Sequence, residues 1–323
     1  MGVALVTGAS AGVGRATALA LAAHGYDVAL LARGEAGLAG ARSAIEATGR
    51  RALAIPADVS DAAQVDAAAT RAEVELGEID VWVNNAMTTV FAWFHDVTPE
   101  EFARATTVTY LGQVYGTMAA LRRMRPRDRG RIVNVGSALA FVGIPLQAAY
   151  CGAKFGVRGF TESVRAELLH DRSNVTISLV HLPAVNTPQF AWCRSKMSNE
   201  PKPVPPVYQP EVAASAIVRT ALDGKPSRIV GSWNTALVGA AELAPGVVAQ
   251  YAARTAVDSQ QTDRPAPSDR ASNLCEPVDR DRDAGAHGAF GDHARGVRDL
   301  AFLRSLPRTL ADLVRSARAA AGG

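Results

Sequence analysis

The chain opens on a short apolar run over residues 2–6. A glycine-bearing turn follows, then an alanine-rich stretch over 13–24 whose apolar positions recur at helical spacing. The same alternation repeats down the chain. Apolar runs over 27–31, 51–56, 79–84, 131–137, 175–182 and 228–231 predict strands, and amphipathic stretches over 36–48, 61–76, 99–124, 147–169 and 211–222 predict helices. Gly25, Gly49 and Gly77 stand where three of these helices should stop. Thr98-Pro99-Glu100-Glu101 is a helix start, and Ser60 or Asp61 is placed to cap the helix over 61–76. The strands are apolar throughout rather than alternating, so both faces of their sheet should be covered. Regular β–α alternation with right-handed crossovers predicts an α/β fold, a Rossmann-like doubly wound parallel sheet of about seven strands.

Two regions interrupt the rhythm. Residues 186–210 are proline-rich, carry Phe190, Trp192 and Met197, and are long for a plain connection, which suggests a lid. Beyond residue 235 the catalytic domain (1–235) gives way to a C-terminal extension (236–323). Residues 235–251 read as a buried or surface-packed helix interrupted by Glu242 and Pro245. Residues 259–295 turn to Asp, Arg, Pro and Gly and read as irregular or partly disordered. Over 297–320, Leu300, Leu303, Leu306, Leu310 and Leu313 restore helical spacing, as for a surface-docked or oligomer-contact helix; its arginine-bearing face leaves membrane contact a minor option.

Composition narrows the function classes. The 323 residues are 48% hydrophobic and 20% charged, with a formal charge of +3. Lacking a basic block, the sequence gives little support to a nucleic-acid partner. It also has no apolar run of about 20 residues to span a bilayer, and no leader pattern precedes the first strand. Cys151, Cys193 and Cys275 are scattered, without disulfide or metal spacing, which fits a reducing cytoplasm. His95, His170 and His181 have no ligand spacing, so no metal is expected.

Candidate chemistry gathers at the carboxyl ends of the strands, where doubly wound sheets bind ligands. Gly8, Gly12 and Gly14 lie between a strand and a helix, in Thr7-Gly8-Ala9-Ser10-Ala11-Gly12-Val13-Gly14. They allow a tight turn and close approach of a pyrophosphate to the helix N-terminus. The second strand ends Leu30-Leu31-Ala32-Arg33, without the carboxylate that would bind a free ribose 2′-hydroxyl. Arg33 could instead pair with a 2′-phosphate, so NADP is expected over NAD; the alternative is a solvated surface arginine. Asp58, followed by Val59, could accept from an adenine amino group or cap the next helix. Tyr150 and Lys154 share a helix face at i and i+4. The ammonium should lower the phenol's pKa from about 10 and make Tyr150 a proton donor and acceptor near neutral pH. Ser137 could hold a substrate oxygen beside it. Cys151 reads as a helix filler.

Taken together, the glycine loop, Asp58, Asn84-Asn85-Ala86, Ser137, Tyr150, Lys154, Pro183 and Thr187 make residues 1 to about 235 resemble the short-chain dehydrogenase/reductase family. The resemblance implies an NADP(H)-dependent oxidoreductase interconverting a carbonyl and an alcohol by hydride transfer. Tyr150 would exchange the proton, Lys154 would tune Tyr150 and hold the nicotinamide ribose, and Ser137 would orient the carbonyl. Ser10, Val13, Asn84, Asn85, Ala86 and Pro183 would lie along the cofactor path, and Thr187 would bond the carboxamide. A homodimer or homotetramer paired through the long helices is also implied. Two positions depart from the family: Met87 stands where Gly is usual, and Thr109 stands where an Asn usually supports a proton relay, so Thr109 is expected in a modified relay. Met87, Phe91, Trp93, Phe94, Leu139, Phe141, Trp192 and Met197 are the expected pocket walls and favour a small apolar carbonyl or alcohol. Two alternatives remain open: a nucleotide-binding sensor or scaffold with little catalysis, and a relative acting on lipid or carrier-bound substrates through the tail.

Overall fold

The computed structural model describes residues 2–296. Seven parallel strands form the central sheet: β1 (Val3–Thr7), β2 (Asp27–Ala32), β3 (Ala52–Pro56), β4 (Ile79–Asn84), β5 (Arg131–Ser137), β6 (Thr176–Leu182) and β7 (Ser227–Ile229), in the order β3-β2-β1-β4-β5-β6-β7. The helices are α1 (Gly12–Ala23), α2 (Glu35–Glu46), α3 (Ala62–Leu76), α4 (Pro99–Thr106), α5 (Gly112–Met124), α6 (Ala148–His170), α7 (Gln189–Trp192), α8 (Pro210–Asp223), α9 (Ser232–Leu243) and α10 (Pro245–Ser259). The strand order reverses between β1 and β4, and a crevice opens there above the carboxyl ends.

Continuous apolar strands supply two cores. On one face Val6, Val28, Leu30 and Val83 pack against Leu21 of α1, Leu38 and Ile45 of α2, and Ile217 and Val218 of α8. On the other, Leu5, Leu31, Trp82 and Ile132 pack against Val65 of α3, Ala119 and Met124 of α5, and Leu168 of α6. Burying side chains of this size contributes about 1.5–3 kcal/mol each, which is why an all-apolar strand is stable only between two helical layers.

Three expectations about elements change. The single helix expected over 99–124 is broken by a π turn over Thr107–Leu111 between α4 and α5. A β-branched run, Thr106-Thr107-Val108-Thr109, weakens the regular helix there, and the Thr109 hydroxyl is anchored to the loop after β4. The α4 start does form, with a capping box between Thr98 and Glu101 and Pro99 in the first turn. The helix expected over 235–251 is two helices that break at Ala244-Pro245. Because α9 begins at Ser232, it crosses the expected 235/236 domain boundary.

The stretch 259–295 is largely irregular, yet it is pinned. Gln261–Pro265 pairs antiparallel with Asn199–Pro201 of the 186–210 segment. Ala294–Arg295 pairs parallel with Val207–Tyr208, which in turn pairs with Ala184–Val185. Specific hydrogen bonds hold this stretch in place despite its low apolar content. The helix expected over 297–320 lies outside the described residues. Among the described residues, no helix is long and apolar enough to cross a membrane.

Candidate active site

The loop after β1 is built for close approach. Gly8 and Gly12 have φ of +66° and +57°, in the region that side chains avoid. A methyl group at Gly14 would run into the Gly8 carbonyl oxygen, so α1 can leave the loop at this angle only with glycine there. Asn85 braces the loop from the end of β4, its Nδ2 donating to Thr7 O at 3.0 Å and Gly8 O at 3.3 Å. Thr7 Oγ1 in return accepts from the Asn85 and Ala86 amides at 2.9 and 3.1 Å.

Ser137 ends β5, and α6 brings Tyr150 and Lys154 to it. The Ser137 hydroxyl lies close enough to the Tyr150 phenol to draw its pKa down and accepts from the Leu139 amide at 3.1 Å. Lys154 Nζ, buried, donates to Val135 O at 2.7 Å and lies 5.5 Å from the centre of the Tyr150 ring. The expected lowering of the phenol is not what this arrangement gives. Burial pushes Tyr150 up to about 12, opposed by the Ser137 hydrogen bond. Burial likewise pushes Lys154 down to about 7. Desolvation penalises both charged forms, and a lysine drawn toward neutrality is a weak support for a phenolate. Burial also pushes the Cys151 thiol up, as for an inert filler.

His181 on β6 is a positioning residue that its sequence context did not flag. Its Nδ1 lies 3.2 Å from Ser137 O, and its ring meets Phe141 edge-on at 4.7 Å. Burial holds it down to about 4, so it is neutral and props the end of β5 without adding charge.

A cavity of about 520 Å³ joins these groups to the glycine loop. Gly8, Ser10, Gly12, Val13, Arg33, Asp58, Val59, Asn85, Ala86, Pro183 and Thr187 line it together with Ser137, Tyr150 and Lys154. Gly14 stands behind this lining. Asn84 and Thr109 do not line it either. Asn84 is fully buried: its Oδ1 accepts from Trp82 Nε1 at 2.7 Å and its Nδ2 donates to Asn134 Oδ1 at 2.8 Å, Gln113 O and Thr117 Oγ1. It ties β4, β5 and α5 together below the site. Thr109 donates to Thr88 O at 2.6 Å and accepts from Thr88 N at 3.0 Å. Its one proton is thereby committed, and its geometry is that of a clamp. Thr109→Val keeps the shape and strands both buried Thr88 groups. The expected loss is about 2 kcal/mol of stability in urea unfolding; an unchanged midpoint would remove the clamp role.

Of the expected walls, Met87, Phe91, Leu139 and Trp192 line the cavity. Trp93 and Phe94 are 43% and 68% exposed. Phe141 packs on His181 beneath Arg158, and Met197 packs beside Phe91 and Cys193. Trp233, Leu237, Val248 and Tyr251 of α9 and α10 complete the apolar end. The signal for Leu237, Val248 and Tyr251 was the apolar stretch over 235–251, shortly after the strand that closes the sheet; Trp233 falls just before it.

The opposite end of the cavity is covered by the tail. Arg33 does not project free into solvent: its Nη1 and Nη2 donate to Cys275 O and Asn273 O, each at 2.5 Å. Asp58 is 3.9 Å from Arg33, but its carboxylate is taken by Arg104 Nη2 at 2.6 Å and by the Ser60 amide and hydroxyl. These partners together hold its pKa below the usual carboxylate range against the opposing effect of burial. Asp61 is the cap of α3. The Gly12 amide donates to Gly285 O at 3.1 Å, so the tail also reaches the glycine loop.

Comparison with known proteins agrees with this geometry. The family described as short chain dehydrogenase matches residues 2–198. An uncharacterized oxidoreductase of Bacillus subtilis (strain 168), YxnA, is 33% identical over 265 residues, covering 81% of this chain and 74% of its own. The 3-dehydrosphinganine reductase of Danio rerio is 32% identical, covering 68% of each chain. A solved metagenomic short-chain oxidoreductase in complex with NADP superposes with a TM-score of 0.59 at 28% identity, over 71% of this chain and 96% of its own. The chain belongs to the short-chain dehydrogenase/reductase family and is an oxidoreductase acting on CH–OH groups with NAD(P).

Proposed function

We propose that this enzyme reduces an apolar ketone or aldehyde to the alcohol, with Tyr150 as the proton donor. The observation that carries the reading is the meeting of Ser137, Tyr150 and Lys154 in one cavity with the glycine loop. A dinucleotide suits this cavity: Gly8 lines it in a left-handed conformation packed against Ala86, so the loop offers backbone there rather than side chain, and the α1 N-terminus faces it. Ser10, Val13, Asn85, Ala86, Pro183 and Thr187 would hold it, with Lys154 at the nicotinamide ribose, and the Gly12 amide would join them once released from Gly285 O. The cofactor supplies the hydride. Ser137 orients the carbonyl oxygen and Tyr150 protonates it. A phenol raised to about 12 is a held acid at neutral pH, which favours the reductive direction. Arg33 would favour NADP(H) only if its guanidinium left the Asn273 and Cys275 carbonyls.

Exposed Met118 on α5 and Phe155 on α6 support pairing of two copies through the long helices. The three cysteines, all free, suit a cytoplasmic setting. One observation favours a lipid carbonyl as substrate: Leu243 and Val247, 88% and 39% exposed, sit at the turn between the two helices that wall the apolar end.

The test is fluorescence titration with NADH and NADPH, followed by oxidation of the bound reduced cofactor across ketones of increasing chain length. Binding and turnover that improve with apolar length are expected. Binding without turnover on any carbonyl would favour the sensor reading, and absence of binding would overturn the function.

A further inference from the structure

The adenosine end of the cleft carries a buried acid that belongs to no catalytic motif. Asp279 is 8% exposed, lines the cavity, and its Oδ2 has no hydrogen-bond partner. An unpartnered buried carboxylate oxygen is costly unless a donor is supplied. Asp279 sits over the first turn of α2. A methyl group at Gly34, the residue before that helix, would run into its carboxylate, and one at Gly37 would come within 2.5 Å of it. The Gly37 amide donates to Asp279 O and the Ala36 amide to Arg280 O, which fix the segment to the helix end. Arg33, immediately after β2, is close enough for the Asp279 charge to bear on its guanidinium.

This is the place, about 20 residues beyond the glycine loop, where such folds read the 2′ position of the adenosine ribose. The end of β2 carries no carboxylate for that task, and the tail delivers one. What the site lacks is a donor, and a ribose diol has two hydroxyls to give. A 2′-phosphate has none and carries negative charge. It would face Asp279 and Asp58 while Arg33 is bound to two carbonyls.

We propose that Asp279 sets cofactor preference from the C-terminal segment: it hydrogen-bonds the adenosine ribose hydroxyls and repels a 2′-phosphate, so that the protein binds NAD(H) in preference to NADP(H). The proposal rests on the dinucleotide-dependent reading above and reverses the preference that Arg33 alone suggests.

The test is equilibrium titration of the full chain with NADH and NADPH, read as two dissociation constants. The wild type should bind NADH more tightly. Asp279→Asn, which removes the charge and keeps the shape, should weaken NADH and strengthen NADPH, moving their ratio by roughly tenfold or more. Gly34→Ala, at a φ of −82° that alanine accepts, should push the carboxylate aside and move the ratio the same way. Asp269→Asn removes an exposed charge elsewhere in the same segment and should leave the ratio unchanged. Tighter NADPH binding by the wild type would overturn the proposal. So would a ratio unmoved by Asp279→Asn and Gly34→Ala, or moved equally by Asp269→Asn. Failure of wild type and variants to bind either cofactor would overturn the underlying dinucleotide reading as well, and is thereby told apart from a failure of Asp279 alone.

Discussion

Tyr150→Phe is expected to lower turnover by about 10²–10⁴-fold, the usual range for loss of a positioned proton donor. Phenylalanine keeps the ring and removes only the oxygen that Ser137 meets, so the fold and cofactor affinity should survive. Single-turnover oxidation of bound reduced cofactor, beside its dissociation constant, separates the two effects. The sign of the pH dependence follows from the raised phenol. Reduction uses the protonated form, which dominates well above neutrality when burial holds the group near 12. Oxidation needs the phenolate, so its rate should climb with pH through the alkaline range while reduction stays flat. An oxidation rate independent of pH would place the proton elsewhere, and wild-type turnover by Tyr150→Phe would remove Tyr150 from the chemistry.

Gly14→Ala should be the most damaging single-methyl change. The new carbon has nowhere to go: the Gly8 carbonyl is backbone, and Asn85 Nδ2, at 2.5 Å, is held to the same loop. Relief requires α1 to move away from β1, which also displaces the cradle for the pyrophosphate. Overpacking of this kind costs about 3 kcal/mol, and dinucleotide binding should be lost with it. Chemical unfolding and cofactor titration check both parts. A variant as stable as wild type that still bound cofactor would show that the loop can open without penalty.

The sheet was legible because burial on both faces leaves a plain record: the strands at Ile79–Asn84 and Arg131–Ser137 fall where the apolar runs placed them. The π turn was not, since Thr106 to Thr109 suit a helix poorly in general, and only the contact with Thr88 selects this distortion. Ser137, Tyr150 and Lys154 could be brought together from spacing and strand ends. The raised phenol could not, because a sequence gives neighbours but not desolvation. Asn84 was expected beside the cofactor by its backbone; the structure sets its side chain into the core, and a polar residue at a strand end can face either crevice or core. The contribution of the tail was the least visible. Its contacts to Arg33 and Gly12 are made by backbone carbonyls of Asn273, Cys275 and Gly285, and these leave no pattern in side-chain identity.

That last feature also bears on biosynthesis. Chains emerge from the ribosome amino end first, and domains fold as they become available. All seven strands of the central sheet are complete by Ile229, whereas the wall beside the second strand arrives only with residues 273–285. A nascent chain therefore has its sheet and Tyr150 in place well before the segment that bonds Arg33 and Gly12 is made. If Asp279 reads the cofactor as proposed, commitment to a cofactor is one of the last events in the maturation of the molecule.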